Sequence, residues 1–371
     1  MKALVLSEYL KLEIADVDQP QPAASEVLLR VEACGICGSD VHGYDGSSGR
    51  RRPPIVMGHE AAGTIVAVGS EVRQWHPGDR VTFDSTVYCG SCPFCLRGQV
   101  NLCDSREVVG VSCADYRRNG AFAEYIAVPE RILYRLPDGL SYVEASMVEA
   151  VSVALHAVAV SEFKSGETAL VLGAGMIGNL IVQALRVAGA SRILVADPDR
   201  TRLAAAQRSG ANTAIYPNTA KGEDTAALVL GHLSGGVDHV FEAVGIADTV
   251  KTAIASVRKG GTVTLVGNIA TSVDLPLQSV VTRQIRLQGT AASSGEYPRA
   301  LDLLAHGQIE VSTLISAVEP LEHGADAFAR LYRREPNLTK IVLTPNRSPN
   351  PKPGPLSLPA KEKPDATETP A

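Results

Sequence analysis

The chain has 371 residues, 45% of them hydrophobic and 20% charged, which is more than one hydrophobic core usually supports and predicts two domains. Its net charge of −5 argues against nucleic acid and anionic membranes as partners, since both need a basic field. No uninterrupted apolar run reaches the ~18 residues that span a bilayer, and the start, Met1-Lys2-Ala3-Leu4-Val5-Leu6-Ser7-Glu8, turns polar too soon for a secretion signal. The expected location is the cytoplasm.

In chain order, residues up to about 150 read as β-rich. Val27–Ala33 and Ala62–Gly69 are short strand-like runs, and His76-Pro77-Gly78-Asp79 is a turn signal. The stretch from Ala145 to Val160 is apolar except for Glu149 and His156. From residue 153 to 290 the texture becomes alternating. Strand Thr168–Leu172 enters a glycine turn, a helix is expected over Met176–Val187, and strands follow at Arg192–Asp197, Val237–Glu242 and Gly261–Gly267. That alternation predicts a doubly wound parallel sheet. Residues 291–345 carry further helices and a last strand at Lys340–Leu343, expected to rejoin the first domain. Residues 346–371 are rich in Pro, Lys, Glu and Thr and read as a disordered tail.

The seven cysteines lie between positions 34 and 113, a clustering that reads as metal binding in a chain without a secretion signal. Cys89, Cys92, Cys95 and Cys103 are spaced for a closed tetrahedral zinc site, with Gly90, Pro93 and Gly98 supplying the turns. An iron–sulfur cluster is the other soft-ligand reading, but nothing else in the chain suggests electron transfer. A nucleic-acid-binding zinc ribbon lacks its basic cluster, because Arg97 and Arg106 are isolated.

Gly35-Ile36-Cys37-Gly38-Ser39-Asp40 and Gly58-His59-Glu60 offer a thiolate, an imidazole and a carboxylate with no obvious fourth ligand. A zinc site with an open position can polarise a substrate oxygen. Asp40 could hold the far nitrogen of His59, as outer carboxylates orient ligating imidazoles. Ser39 and His42 form a possible proton path from an alcohol to water.

Gly173-Ala174-Gly175-Met176-Ile177-Gly178 follows a strand and opens a helix, so a pyrophosphate could rest on the helix N-terminus. Asp197, nineteen residues past Gly178, would hydrogen-bond an adenosine ribose and repel a 2′-phosphate, which favours NAD. Arg202 could flank the adenine.

Together these motifs resemble the zinc-dependent medium-chain alcohol dehydrogenase family over residues 1 to about 345. The resemblance implies a GroES-like catalytic domain (1–152 and 291–345, with a zinc lobe at 89–103), a Rossmann NAD-binding domain (153–290), two zinc ions per chain, and hydride transfer from a small alcohol to NAD. It also implies a homodimer or homotetramer. Glu149, in Met147-Val148-Glu149-Ala150, falls where simple alcohol dehydrogenases place a second cysteine and looks like the polyol, sugar and threonine dehydrogenase branch. Glu60 and Glu149 are therefore both candidate ligands of the catalytic zinc. The stretch Gly289-Thr290-Ala291-Ala292-Ser293-Ser294-Gly295 lacks the arginine and tyrosine that sorbitol dehydrogenases often carry there. Arg50-Arg51-Arg52 could meet the phosphate of a sugar-alcohol phosphate. Threonine, a butanediol or a simple secondary alcohol is the alternative substrate, and a non-enzymatic dinucleotide-binding scaffold is a third reading.

Overall fold

A computed structural model of the chain describes residues 1–218 and 222–346; the tail expected beyond Asn346 lies outside the described residues. The first architecture is a mixed seven-stranded sheet. Its main path runs Leu133–Arg135, Arg80–Phe83, Glu60–Val68, Glu26–Gly35, Ile341–Thr344 and Ala317–Pro320, and Tyr125–Pro129 pairs with Glu26–Gly35. Val27, Leu29, Val31 and Ala33 are buried, so one face of the central strand belongs to the core. Arg30 O would stand 2.1 Å from a Cβ at Gly63, which is why a glycine lies opposite it.

The antiparallel register sets Gly35 against Glu60 and Cys34 against Ala61. Cys37, two residues past one strand, and His59, one residue before the next, therefore emerge at the same edge. Ile341–Thr344 adds to the same central strand with Val342 opposite Gly35, and it brings Lys340 to that edge. The expected strand at Lys340–Leu343 is observed at Ile341–Thr344. Lys340 precedes the ladder yet is buried. The parallel strand Ala317–Pro320 is an addition that the helical texture of residues 291–345 hid.

The second architecture is a parallel six-stranded sheet in the order Thr213–Ile215, Arg192–Ala196, Thr168–Leu172, Val237–Glu242, Val257–Leu265, Arg286–Gly289. Numbered along the chain this is 3-2-1-4-5-6, the order of a Rossmann sheet. The strand expected at Gly261–Gly267 starts earlier, at Val257, and ends at Leu265. Helix Met176–Val187 has the expected bounds and buries Leu180, Ile181, Ala184 and Leu185. Helix Val148–Val160 packs against it, and one apolar cluster joins Ala62 of the first sheet to residues of both helices and to Tyr297. Among the described residues no helix is long and apolar enough to cross a membrane.

Candidate active site and metal centres

The chain leaves the central strand at Gly35 and enters helix Gly38–Tyr44 with Cys37 at its N-cap. Asp40, in the first turn, is fully buried and accepts the Cys37 N–H at 3.2 Å through one oxygen. Its other oxygen stands 3.2 Å from His59 Nδ1 and 3.1 Å from Arg51 Nη2. One carboxylate thus accepts from the backbone of one candidate ligand and faces the ring of another. With Nδ1 turned to Asp40, Nε2 is the nitrogen left to a metal. Ligand atoms of Cys37, His59 and Glu60 all lie within 4.8 Å of one another.

Burial pushes Asp40 up, but the pull of His59, Arg51 and the Cys37 N–H outweighs it and holds the carboxyl at about 2. For His59 burial opposes the charge, and Asp40 and Cys37 more than offset that, raising its pKa well above the ordinary value. Glu60 is buried and bonded through Oε2 to Lys340 Nζ, while Oε1 is buried with no partner. An orphaned carboxylate oxygen beside a thiol and an imidazole fits a cation, so the residues present suit zinc.

Glu149 begins helix Val148–Val160 and stands outside that compact trio. It keeps some solvent access, yet burial pushes its carboxyl up to about 7, with His59 and Lys340 pulling down and Glu60 and Asp84 pushing up. It is therefore within electrostatic reach of the trio without being part of it. Ser39 is exposed, with Oγ 3.5 Å from His59 Nε2, and His42 follows one turn later on the same helix.

Cys89, Cys92, Cys95 and Cys103 form the second cluster, also within 4.8 Å of one another. Gly90 and Gly98 have φ of +79° and +78°, which the tight loop requires. Backbone N–H groups of Ser91 and Cys92 donate to Cys89 Sγ and draw its pKa down to about 6. Four converging sulfurs, two of them, Cys89 and Cys92, drawn toward thiolate, suit a closed zinc site. Cys34 is buried and belongs to neither cluster, although strand register sets it opposite Ala61, beside Glu60.

At the dinucleotide turn Gly173 has φ +93°, and a Cβ at Gly178 would fall 1.8 Å from Gly173 O. A Cβ at Gly175 would meet nothing within 4 Å, leaving open space over the helix N-terminus for a pyrophosphate. Met176 and Ile177 open the helix. Asp197, buried just past the second strand, accepts the N–H of Ala174 at 2.8 Å and of Asp199 at 2.8 Å. Arg202 is exposed, 3.8 Å from Asp199.

Comparison with known proteins meets this geometry from outside. Residues 23–138 match the alcohol dehydrogenase GroES-like domain and residues 177–306 the zinc-binding dehydrogenase domain. The sorbitol dehydrogenase of Bacillus subtilis is 34% identical over 352 residues, 94% of this chain and 98% of that one. The chain belongs to the zinc-dependent alcohol dehydrogenase family. The D-arabitol-phosphate dehydrogenase of Enterococcus avium is 34% identical over 344 residues, 91% of this chain and 95% of that one. A zinc-binding dehydrogenase of Sinorhizobium meliloti solved with NADP superposes with a TM-score of 0.83 at 33% identity, covering 93% of this chain and 99% of that one.

Two site residues of this dehydrogenase, Lys340 and Gly35, escaped sequence reasoning. Lys340 lies in an ordinary Thr-Lys-Ile-Val run, 280 residues from Glu60, and no local pattern announces the pair. Gly35 belongs with it, because a Cβ there would come within 2.5 Å of Glu60 Oε2 and 2.8 Å of Lys340 Cε. Arg51 is legible in the sequence only as part of its run. Arg50-Arg51-Arg52 reads as a solvated loop that could meet a phosphate, and Arg50 and Arg52 are exposed, but Arg51 is buried and paired with Asp40. Its guanidinium is already engaged.

Proposed function

We propose that this dehydrogenase oxidises a secondary alcohol of a polyol or sugar and passes the hydride to NAD. The observation that carries the reading is the donor set, in which Glu60 keeps a free buried oxygen beside Cys37 and His59 and Glu149 stands near in place of a second cysteine. A zinc ion held by Cys37, His59 and Glu60 or Glu149 would supply the Lewis acidity that acidifies a substrate hydroxyl. NAD held by the turn from Gly173 to Gly178 would supply the hydride acceptor. Ser39 takes the hydroxyl proton, and His42, one turn along the helix, hands it to water. Asp40 keeps His59 in one tautomer and one orientation. Asp197 favours NAD by meeting ribose hydroxyls with a negative charge.

The B. subtilis and E. avium relatives support the polyol class, the latter with a phosphate ester. Arg51 lends no support to a phosphate, because Asp40 holds it. We further propose a division into residues 1–152 with 291–345 and residues 153–290, a homo-oligomer, and a cytoplasmic setting.

The test is a spectrophotometric panel of polyols, their phosphates, threonine and diols with NAD and with NADP. A polyol should give the highest kcat/KM with NAD, and best turnover of threonine or a simple alcohol would overturn the class. Cys37→Ala should abolish turnover while NADH still binds, as read by fluorescence titration. An undiminished rate in that variant would sink the mechanism.

A further inference from the structure

Arg51 sits in an exposed loop between two solvated arginines, yet only 4% of it is exposed. Burying a guanidinium is unfavourable unless it is well paired, and its neighbours show that the loop does not demand it. The chain makes room for it as well. A Cβ at Gly43 would lie 2.0 Å from Arg51 Cγ and 2.8 Å from its Cβ, so the arginine stem runs through the space the glycine leaves. Gly43 lies in the last turn of helix Gly38–Tyr44, where glycine leaves the chain freer to unfold than alanine would. Two unfavourable local choices, a buried arginine and a helical glycine, thus meet at one place.

The guanidinium reaches the two residues that follow Gly38. Nη2 donates to Ser39 Oγ at 3.3 Å and to Asp40 Oδ1 at 3.1 Å, and Nη1 donates to Arg50 O at 3.3 Å. The same Asp40 oxygen faces His59 Nδ1. We propose that Arg51 is a positioning residue that orients the Ser39 hydroxyl for one-way proton transfer, using Asp40 as its anchor.

A serine oxygen has two acceptor positions and one hydrogen. The bond from Arg51 occupies one acceptor position and cannot be reversed, because arginine offers no lone pair and does not release its proton. The other acceptor position is left for the substrate hydroxyl, and Ser39's own hydrogen must point elsewhere. The substrate O–H proton passes to Ser39 Oγ as the serine hydrogen leaves toward His42 or water. With NAD held at the glycine turn, the hydride and its electron pair would leave carbon for the nicotinamide, giving a carbonyl, reduced dinucleotide and one released proton. Arg51 ends the cycle as it began. The bonds to Ser39 Oγ and Asp40 Oδ1 both leave the single nitrogen Nη2, while Nη1 ties the group to Arg50 O. A lysine has no second nitrogen for that tie and would hold the two oxygens less firmly.

The inference rests on the alcohol-oxidising reading, and the experiment separates the two. With the best alcohol of the panel, Arg51→Met should lower kcat by about 10- to 100-fold with KM little changed. Zinc content per chain and NADH affinity should match the wild type. In a Ser39→Ala background the same substitution should remove little further rate, because its effect runs through that hydroxyl. Arg51→Lys keeps the charge, stands in if the methionine variant does not fold, and should regain only part of the rate. A wild-type rate in Arg51→Met, a wild-type rate in Arg51→Lys, a fully multiplicative loss in the Ser39→Ala background, or a loss that tracks departing zinc would each overturn the proposal. An active Cys37→Ala enzyme would overturn the parent reading instead.

Discussion

At the residue scale the site rests on charges that only their partners make tolerable. Glu60 and Lys340 are both buried and bonded to each other, and removing one side leaves an uncompensated buried charge. Lys340→Met should lower the free energy of unfolding by about 3–5 kcal/mol, read by denaturant titration, and adding Glu60→Gln should recover part of it. Asp84 shows the opposite balance. Burial raises its carboxyl from 3.8 to about 6, against the pull of the Thr86 backbone N–H. The fold therefore favours the protonated form, and its contribution is fully present below about pH 4 and lost as pH rises through about 6. Asp84→Asn should leave stability at pH 4 unchanged and raise it at pH 8 by at most about 3 kcal/mol. Equal effects at both pH values would contradict the burial argument.

At the element scale two glycines of one turn do different work. Gly178 lets the helix pack on the strand end, because a Cβ there would overlap Gly173 O, whereas Gly175 faces open space. Gly175→Ala should thus melt within about 0.5 kcal/mol of the wild type yet bind NADH at least about tenfold more weakly. Gly178→Ala should lose folding stability before any ligand is added. A Gly175→Ala variant with intact NADH affinity would show that no pyrophosphate approaches there. Helix Gly38–Tyr44 is read in the same terms, since its first turn presents Ser39, Asp40 and, at the cap, Cys37. A seven-residue helix is too short to be stable by propensity alone, and its position comes from the strand before it and from Asp40.

At the scale of the whole molecule we propose that the two cysteine-bearing clusters divide stability from chemistry. The lobe with Cys89, Cys92, Cys95 and Cys103 is tied to the body by Asn101, which donates to Ala291 O at 2.8 Å, and by Ser294, which donates to Gly98 O at 2.7 Å. These bonds hold the lobe against the segment that follows the last strand of the parallel sheet. Cys92→Ser should release one zinc and lower the melting temperature, whereas Cys37→Ser should release one zinc and leave melting nearly unchanged. Metal analysis paired with thermal denaturation reads both outcomes. Equal destabilisation by the two substitutions would remove the distinction between a structural and a catalytic metal.

Much of this was legible locally. The strand-and-helix alternation predicts the parallel sheet because periodicity is a property of neighbouring residues. The glycine turn, the cysteine lobe and Gly58-His59-Glu60 are likewise short motifs whose chemistry needs only near spacing. What the sequence by itself determined was the family, the sheet and the residue types of the site. Tertiary structure alone decided that Lys340 neutralises Glu60 and that Gly35 clears space for the pair. It alone decided that Arg51 turns inward past Gly43 to Asp40 and Ser39, while Glu149 stays outside the tight trio. The physical reason is that a buried charge selects its partner through space, by strand register and helix packing. A partner 280 residues away leaves no periodicity, spacing or composition by which the chain can announce it.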